Sequence, residues 1–461
     1  MKKRWLALSL VGVLSLSMFV GCGKKQNIPA GNTPSSEQDK AKDEPAKGEV
    51  VEVTFWHAMA GQRGESVEKM VENFNNSQDG IKVSTVFQGN YDDAINKMKS
   101  SMKGKDGPDI MQIYDIGTRF MIDSGYSLPI QDFIDGENYN IADLEPNLLG
   151  YYSIDDKLYS MPFNSSTPLL YYNKDAFVEA GLDPEKPPTN LDEIKEYAAK
   201  LVKKDGSKVS RYGYSMAIYG WFFEQFICKQ NESYVDNGNG RDSNAQKVLF
   251  DSNGAGLKIL EQWKDLMDSG NVGNYGRTTS DTQNAFIAGS TAMFLDSTAV
   301  LTSILGGVDG RFEIGTAYFP DVDADTKGGV SIGGGSLWMI DSGNDAKQKA
   351  SWEFIKFMVS PEQQSYWAQT TGYFAITKTA YDEPDMKEYL KTYPQFQTAI
   401  DQLHDSPLES RGALLGVFPE ARQTIEASIE EMVQGTITPQ QALDKAAESI
   451  NSAIDNYNRT N

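Results

Sequence analysis

From Val50 onward, the chain alternates two kinds of apolar periodicity, and this alternation restricts its fold more than any other feature. Side chains of alternating character, as in strands, occupy 51–55 and 81–87, and 109–113 is a short apolar strand that follows the Gly107-Pro108 breaker. Apolar residues recur at three and four positions, as on one face of a helix, at 67–74 and 95–102. Strands that alternate with helices predict βαβ units and a mostly parallel, doubly wound sheet.

The residues after these three strands are candidates for a binding site. Ligands of such sheets bind beyond the carboxyl ends of the strands. Residues 56–57, 88–91 and 114–115 each follow a predicted strand and include aromatic, amide and carboxyl side chains. We therefore expect these three segments to converge on one crevice.

The remainder of the chain continues the mixture of helices and strands. Longer helical patterns at 191–202 and 257–267 indicate a second lobe in the middle of the chain. A strand-like segment at 331–338 precedes a predicted helix at 347–358. Amphipathic helices fill 424–457 and are separated at Thr438-Pro439, where threonine is a good cap and proline fits the first turn.

The N-terminus predicts export and lipid anchoring. Basic residues at 2–4 precede an apolar run at 5–20 that is shorter than a membrane-spanning helix, so 1–21 is predicted to be a signal peptide. The run ends in a sequence that resembles a bacterial lipobox, which makes Cys22 the predicted lipidation site. Residues 22–48 are almost free of apolar side chains and predict a flexible tether. An ordinary signal peptide with an incidental cysteine, and a regulatory tail, are the alternatives.

Composition excludes several classes of function. A net charge of −21 leaves too little positive charge to hold a nucleic acid. With two histidines and two cysteines in the whole chain, a zinc centre built on these residues is not expected, and no metal or cofactor is predicted. Cys228 lies beside Phe226 and Ile227, and we expect it to be a small buried apolar residue.

Motifs of catalysis are missing as well. The sequence contains no phosphate-binding GxxxxGK[ST] loop, no GxSxG nucleophile elbow and no HExxH zinc motif. Paired carboxylates suited to glycoside hydrolysis remain an open alternative, because 64 acidic residues always offer some pair. The sequence is also rich in aromatic residues, with 7 Trp, 22 Tyr and 21 Phe. Many of them are next to Asn, Ser or Gly in the sequence, which is typical of proteins that bind polyols and sugars.

Several short segments together resemble a known family. They are 55–59 (FWHAM), 89–91 (GNY), 161–174 (MPFNSSTPLLYYNK), 333–338 (GGGSLW) and 371–373 (TGY). This set resembles family 1 of the bacterial extracellular solute-binding proteins, and within it the branch that binds glycerol-3-phosphate for ABC importers. The resemblance runs from about Val50 to the C-terminal helices.

The resemblance implies an α/β chain with a two-lobed, periplasmic-binding-protein-like fold of type 2. Central mixed sheets would carry flanking helices, and a hinged cleft would separate the lobes. On this basis, lobe 1 comprises 49–162 with 320–360, and lobe 2 comprises 163–319 with 361–461.

The resemblance also implies a set of ligand-binding residues. Asp115 stands where the family carries Glu, and it is expected to accept hydrogen bonds from the glycerol hydroxyls. Arg422 aligns with the arginine that grips the phosphate. The full predicted set is Tyr91, Asp115, Ser166, Trp221, Ser297, Gly334, Tyr373 and Arg422.

Two positions depart from the family pattern. Ile218 replaces one of two tryptophans that cover the glycerol, which predicts room for a glycerophosphodiester with a larger head group. Leu414 replaces a second basic residue, for which Arg411 is a possible substitute.

The predicted function is therefore that of a substrate-binding lipoprotein on the outer face of the cell membrane. It would act as a monomer without enzymatic activity, and would deliver glycerol-3-phosphate or glycerophosphodiesters to ABC permease subunits. A receptor for a neutral sugar or oligosaccharide is the first alternative. A surface-anchored glycosidase and a non-transport adhesin or signalling receptor are the others.

Overall fold

The computed structural model describes residues 50–101, 107–325 and 328–460. The predicted signal peptide (1–21), the lipidation site Cys22 and the tether up to residue 48 lie outside these residues, so they stay predictions. Within the described residues, no helix combines the length and the apolar character needed to cross a membrane.

The strands of the described chain follow in sequence order. They are β1 (Val51–His57), β2 (Ile81–Phe87), β3 (Ile110–Tyr114), β4 (Ser127–Leu128), β5 (Ser153–Ile154), β6 (Lys157–Leu158), β7 (Met161–Ser166), β8 (Pro168–Asn173), β9 (Lys203–Asp205), β10 (Lys208–Arg211), β11 (Tyr214–Ser215), β12 (Val272–Gly273), β13 (Met293–Ser297), β14 (Ile314–Tyr318) and β15 (Gly333–Ile340).

The helices surround these strands. They are α1 (Gly61–Ser77), α2 (Tyr91–Ser101), α3 (Thr118–Ser124), α4 (Ile130–Glu137), α5 (Pro146–Tyr152), α6 (Lys174–Glu179), α7 (Leu191–Leu201), α8 (Gly220–Lys229), α9 (Asp236–Gly240), α10 (Ala255–Asp268), α11 (Thr279–Ile287), α12 (Leu301–Val308), α13 (Asp345–Met358), α14 (Pro361–Thr371), α15 (Pro384–Thr392), α16 (Gln395–Asp405), α17 (Phe418–Val433) and α18 (Pro439–Asn458).

The first sheet has the order β2-β1-β3-β15-β4, and β7 also pairs with β15. β1, β2 and β3 are parallel, as the alternation of strands and helices predicts. β15 is antiparallel to β3, β4 and β7, so the mostly parallel sheet expected from the periodicity is wrong, and the mixed sheet that the resemblance implies is confirmed. The pattern around each strand did not reveal this, because β15 comes from more than 200 residues farther along the chain.

The second sheet has the order β12-β11-β13-β8-β14 and is also mixed. Only Thr167 separates β7 of the first sheet from β8 of the second, so the chain passes directly from one sheet to the other. It returns to the first sheet between β14 and β15. We call the two sheets with their helices the first and second lobes; the predicted lobe boundary between 162 and 163 falls inside β7 and stays a prediction.

Most predicted elements are confirmed with small shifts of their ends. The predicted helix at 191–202 is α7, and the predicted strand at 331–338 is β15, which begins at Gly333. The two C-terminal helices are α17 and α18, which pack against each other and against α10. Thr438 caps α18 as predicted: its hydroxyl accepts a hydrogen bond from the Gln441 backbone N–H at 3.2 Å, and the Gln441 side chain accepts one from the Thr438 N–H at 2.9 Å.

Candidate functional site

A cavity of about 720 Å³ lies between the two lobes, and all of the predicted ligand-binding residues line it. From the first lobe come Tyr91, at the start of α2, and Asp115, directly after β3. Ser166 and Gly334 lie on the paired strands β7 and β15, next to the passage between the lobes. The other predicted residues are Trp221 on α8, Ser297 at the end of β13, Tyr373 after α14 and Arg422 on α17.

The predicted convergence of strand ends is confirmed for two of the three strands. Asn90, Tyr91, Tyr114 and Asp115 line the cavity. The prediction is wrong for 56–57, which do not line it. The His57 ring is buried between the rings of Phe55 and Phe87, and burial lowers its pKa, which Glu68 opposes.

A chain of hydrogen bonds positions the Tyr91 hydroxyl. The Asn164 amide on β7 donates to this hydroxyl at 2.8 Å, and the Gln112 amide donates to Asn164 Oδ1 at 2.7 Å. Gln112 in turn accepts from the backbone N–H of Ala58 at 2.9 Å. The Tyr91 ring stacks on the ring of Tyr114, with centroids 5.0 Å apart and planes 10° apart. The hydroxyl is therefore held rigidly at the cavity wall.

Arg422 is buried and already has a carboxylate partner that the sequence analysis missed. Its Nε and Nη2 donate to the two carboxylate oxygens of Glu224 at 2.8 and 2.7 Å. Nη2 also lies 3.6 Å from Asp115 Oδ2. Glu224 belongs to α8, where every residue but Lys229 is buried and most side chains are apolar. The one available signal was a lone acidic residue within that apolar helix, since such a residue requires a partner.

Asp115 is buried beside this pair, and its protonation is shifted. Burial raises the pKa of Asp115 from 3.8 to about 7; Arg422 lowers it and Glu224 adds to the rise. A second small cavity, lined by Asp115, Glu224, Tyr234 and Ser331 among others, lies beneath the pair. Arg422 is thus enclosed by acidic side chains.

Asp296 and Ser297 form another polar group at the end of β13. The Asp296 carboxylate accepts hydrogen bonds from the Ser297 N–H at 2.7 Å and from the Gln283 amide at 2.9 Å. Burial raises the pKa of Asp296 to about 6, which these hydrogen bonds oppose. The Ser297 hydroxyl accepts from the Ala299 N–H at 3.1 Å, which leaves its own proton to donate to a ligand.

Glycines on β15 let the backbone line the cavity closely. Gly334 has φ +97°, and a Cβ there would lie 1.9 Å from the carbonyl oxygen of Asn164. A Cβ at Gly333 would lie 2.6 Å from the ring of Trp221. Both positions require glycine, because any side chain would collide with the opposite strand or with the indole.

Neither of the two positions that depart from the family pattern lines the cavity. Ile218 is 1% exposed and does not line the cavity, where the neighbouring Tyr219 lies instead. Leu414 is buried, and Arg411 does not line the cavity either. Two cations that the sequence did not reveal do line it, namely Arg63 on α1 and Arg277, which precedes α11.

Two α/β lobes with a polar cavity between them define the class of two-lobed solute-binding receptors. Residues 69–398 match the model of the family described as bacterial extracellular solute-binding protein, and the chain belongs to this family. In the described residues, no group of three or more His, Cys, Asp or Glu side chains could hold a metal ion.

Curated relatives cover most of the chain. It is 34% identical over 422 residues to the sn-glycerol-3-phosphate-binding periplasmic protein UgpB of Pectobacterium atrosepticum, covering 89% of this chain and 93% of the relative. It is 33% identical over 421 residues to UgpB of Escherichia coli K12, covering 89% and 94%.

Solved structures share the fold. UgpB from Mycobacterium tuberculosis, in complex with glycerophosphocholine, matches with a TM-score of 0.74 and 22% identity, over 88% of this chain and 98% of that one. The sugar-binding protein MalE from Xanthomonas citri matches with a TM-score of 0.73 and 20% identity, over 89% and 99%. At these identities the likeness establishes the architecture and leaves the ligand to other evidence.

Proposed function

We propose that this protein binds glycerol-3-phosphate or a glycerophosphodiester and delivers it to the permease of an ABC importer. The observation that carries the proposal is the meeting of all eight predicted ligand-binding residues on one cavity between the lobes. The names of its curated relatives support the same solute class.

The geometry suits capture by closure of the lobes. Tyr91 and Asp115 approach the cavity from the first lobe, and Trp221, Ser297 and Arg422 approach it from the second. A solute that contacts both groups shifts the population toward the closed arrangement by its difference in affinity for the two arrangements. The protein makes and breaks no covalent bond in this mechanism, so we propose no enzymatic activity.

The proposal places the protein outside the cytoplasm. A monomer would be held at the outer face of the cell membrane by lipid on Cys22, with residues 22–48 as a tether. Its partners would be the solute and the permease subunits. These parts of the proposal rest on the N-terminal sequence and on family membership.

The cavity is large enough to hold a diester as well as a monoester. A volume of about 720 Å³ exceeds what a glycerol phosphate fills, and Tyr219 and Trp221 offer aromatic surface for a head group. The structural relative from Mycobacterium tuberculosis contains glycerophosphocholine, a ligand of this class.

Binding can be tested by calorimetric titration with glycerol-3-phosphate, glycerophosphocholine and maltotriose. We expect the two phosphate esters to bind and maltotriose not to bind. Tyr373→Phe removes one hydroxyl from the cavity wall and should weaken ester binding roughly 3- to 10-fold. Tyr393→Phe, at an exposed tyrosine outside the cavity, is the matched control and should change nothing. Binding of maltotriose alone would replace the proposed solute by a neutral sugar.

A further inference from the structure

Arg63 is the one arginine of the cavity wall without an acidic partner. Three arginines line the cavity, namely Arg63, Arg277 and Arg422. Arg277 pairs with Glu430 at 2.5 Å and Arg422 pairs with Glu224 at 2.7 Å. Within the part of the chain that the structure describes, no carboxylate forms an ion pair with Arg63 inside 4.0 Å.

The acidic groups of the cavity wall are engaged elsewhere. The Asp92 carboxylate accepts from the Tyr114 hydroxyl at 2.5 Å, and Glu426 accepts from the Gly220 N–H at 2.9 Å. Asp115 lies against Arg422, while both oxygens of Asp296 accept hydrogen bonds from the neighbouring Ser297 N–H and Gln283. The positive charge of Arg63 therefore remains available to pair with an anionic ligand.

Packing places Arg63 next to Tyr373, a member of the predicted ligand-binding set. One turn after Arg63, the Ser66 hydroxyl donates to Thr370 Oγ1 at 3.1 Å, which joins α1 to α14. Three residues after Thr370 comes Tyr373, which raises the pKa of Arg63 most strongly, while burial lowers it. Tyr91 and Asp296 raise it further, so Arg63 faces groups from both lobes.

We propose that Arg63 holds the phosphate group of the solute, together with the hydroxyls of Tyr373 and Ser297. Arg422 has two of its three nitrogens committed to Glu224 and lies beside Asp115, so its charge is neutralised within the protein. A guanidinium without an ionic partner binds phosphate through short, charge-assisted hydrogen bonds. Arg63 thereby supplies the second cation that Leu414 does not. The inference rests on the proposed function, because it identifies the residue that binds the charged group of that solute.

The charge of the ligand makes this inference testable. A phosphate monoester carries a charge of about −1.5 to −2 at pH 7, whereas a diester carries about −1. Loss of a cation that contacts the phosphate should therefore weaken the monoester more than the diester. A residue with a purely structural role would affect both ligands equally.

The experiment is calorimetric titration of the purified full chain with glycerol-3-phosphate and with glycerophosphocholine. Arg63→Gln should weaken glycerol-3-phosphate more than tenfold and glycerophosphocholine less, and Arg63→Lys should recover part of the loss. Lys69→Gln removes one positive charge from the exposed side of the same helix, where Lys69 pairs with Glu72, and is the matched control. It should leave both affinities within twofold of the wild type.

The outcomes separate the inference from the proposed function. If the wild-type protein binds one or both esters and Arg63→Gln leaves every one of these affinities unchanged, the role of Arg63 is overturned and the proposed function stands. An equal loss for both esters would assign Arg63 a structural role and also overturn the inference. A wild-type chain that binds neither ester would overturn both.

Discussion

At the scale of single residues, most charged side chains of the cleft are paired within the protein before a solute binds, and Arg63 is the exception. Arg422, Glu224 and Asp115 form a buried group in which a single guanidinium serves two carboxylates. The sequence identified Arg422 and Asp115 through their motifs. It did not reveal Glu224, because this is a lone acidic residue in an apolar helix and its partner is fixed only by the packing of distant segments. It did not reveal Arg63 either, because the packing of α1 against α14 determines which residues of α1 reach the cavity.

Asp115 should make stability depend on pH. Its pKa rises from 3.8 to about 7 on folding, so the folded state keeps a proton that the unfolded chain releases between these values. Stability should then fall as pH rises from about 4 to 7, by about 1.4 kcal/mol per pH unit for this group. Asp296, with a pKa of about 6, should add to the fall up to that pH.

Urea unfolding at several pH values measures this effect. Asp115→Asn should flatten the decline, because the amide does not titrate. Asp156→Asn, in an exposed turn, is the control and should keep the wild-type slope. A slope that is the same in both variants would show that Asp115 releases its proton at an ordinary pH in the folded protein.

Glu224→Gln should act in opposite directions on stability and binding. Removing one partner of a buried ion pair costs roughly 3–5 kcal/mol, which urea unfolding would detect. The same change releases the charge of Arg422, so affinity for glycerol-3-phosphate should rise. Glu430→Gln, at the half-exposed partner of Arg277, should cost no more than about 1 kcal/mol. An equal and small loss in both variants would contradict the buried pairing.

At the scale of elements, local patterns predicted what neighbouring residues determine. Apolar spacing located β1, β2 and α7, and the Thr438-Pro439 signal located the start of α18, because these features depend on residues a few positions apart. The direction of strand pairing was not predictable in this way. β15 lies antiparallel to β3, although no residue near either strand indicates it.

The cap of α18 offers a test at this scale. Thr438→Ala removes the hydroxyl that accepts the Gln441 N–H and should lower the free energy of unfolding by about 1 kcal/mol. Thr392→Ala, at the exposed end of α15, is the control and should have a smaller effect. The midpoint of urea unfolding measures both, and equal midpoints would show that the cap contributes nothing.

At the scale of the whole molecule, the cleft depends on the chain passing between two sheets. β7 and β15 carry Ser166 and Gly334 at this passage, and residues from both lobes face the same cavity. The periodicity of the sequence predicted that Tyr91 and Asp115 converge, and the family resemblance predicted the residues of the second lobe that meet them. The net charge of −21 gave no indication of an uncompensated arginine inside the cleft.

A crystal structure of the protein with glycerol-3-phosphate would show directly which residues hold the solute. We expect one ligand molecule between the lobes, with the glycerol hydroxyls near Tyr91 and Asp115 and the phosphate in contact with Arg63, Tyr373 and Ser297. A ligand bound outside the cavity would contradict the proposed function. A phosphate in contact with Arg422 alone, more than 4 Å from Arg63, would contradict the assignment of the charge.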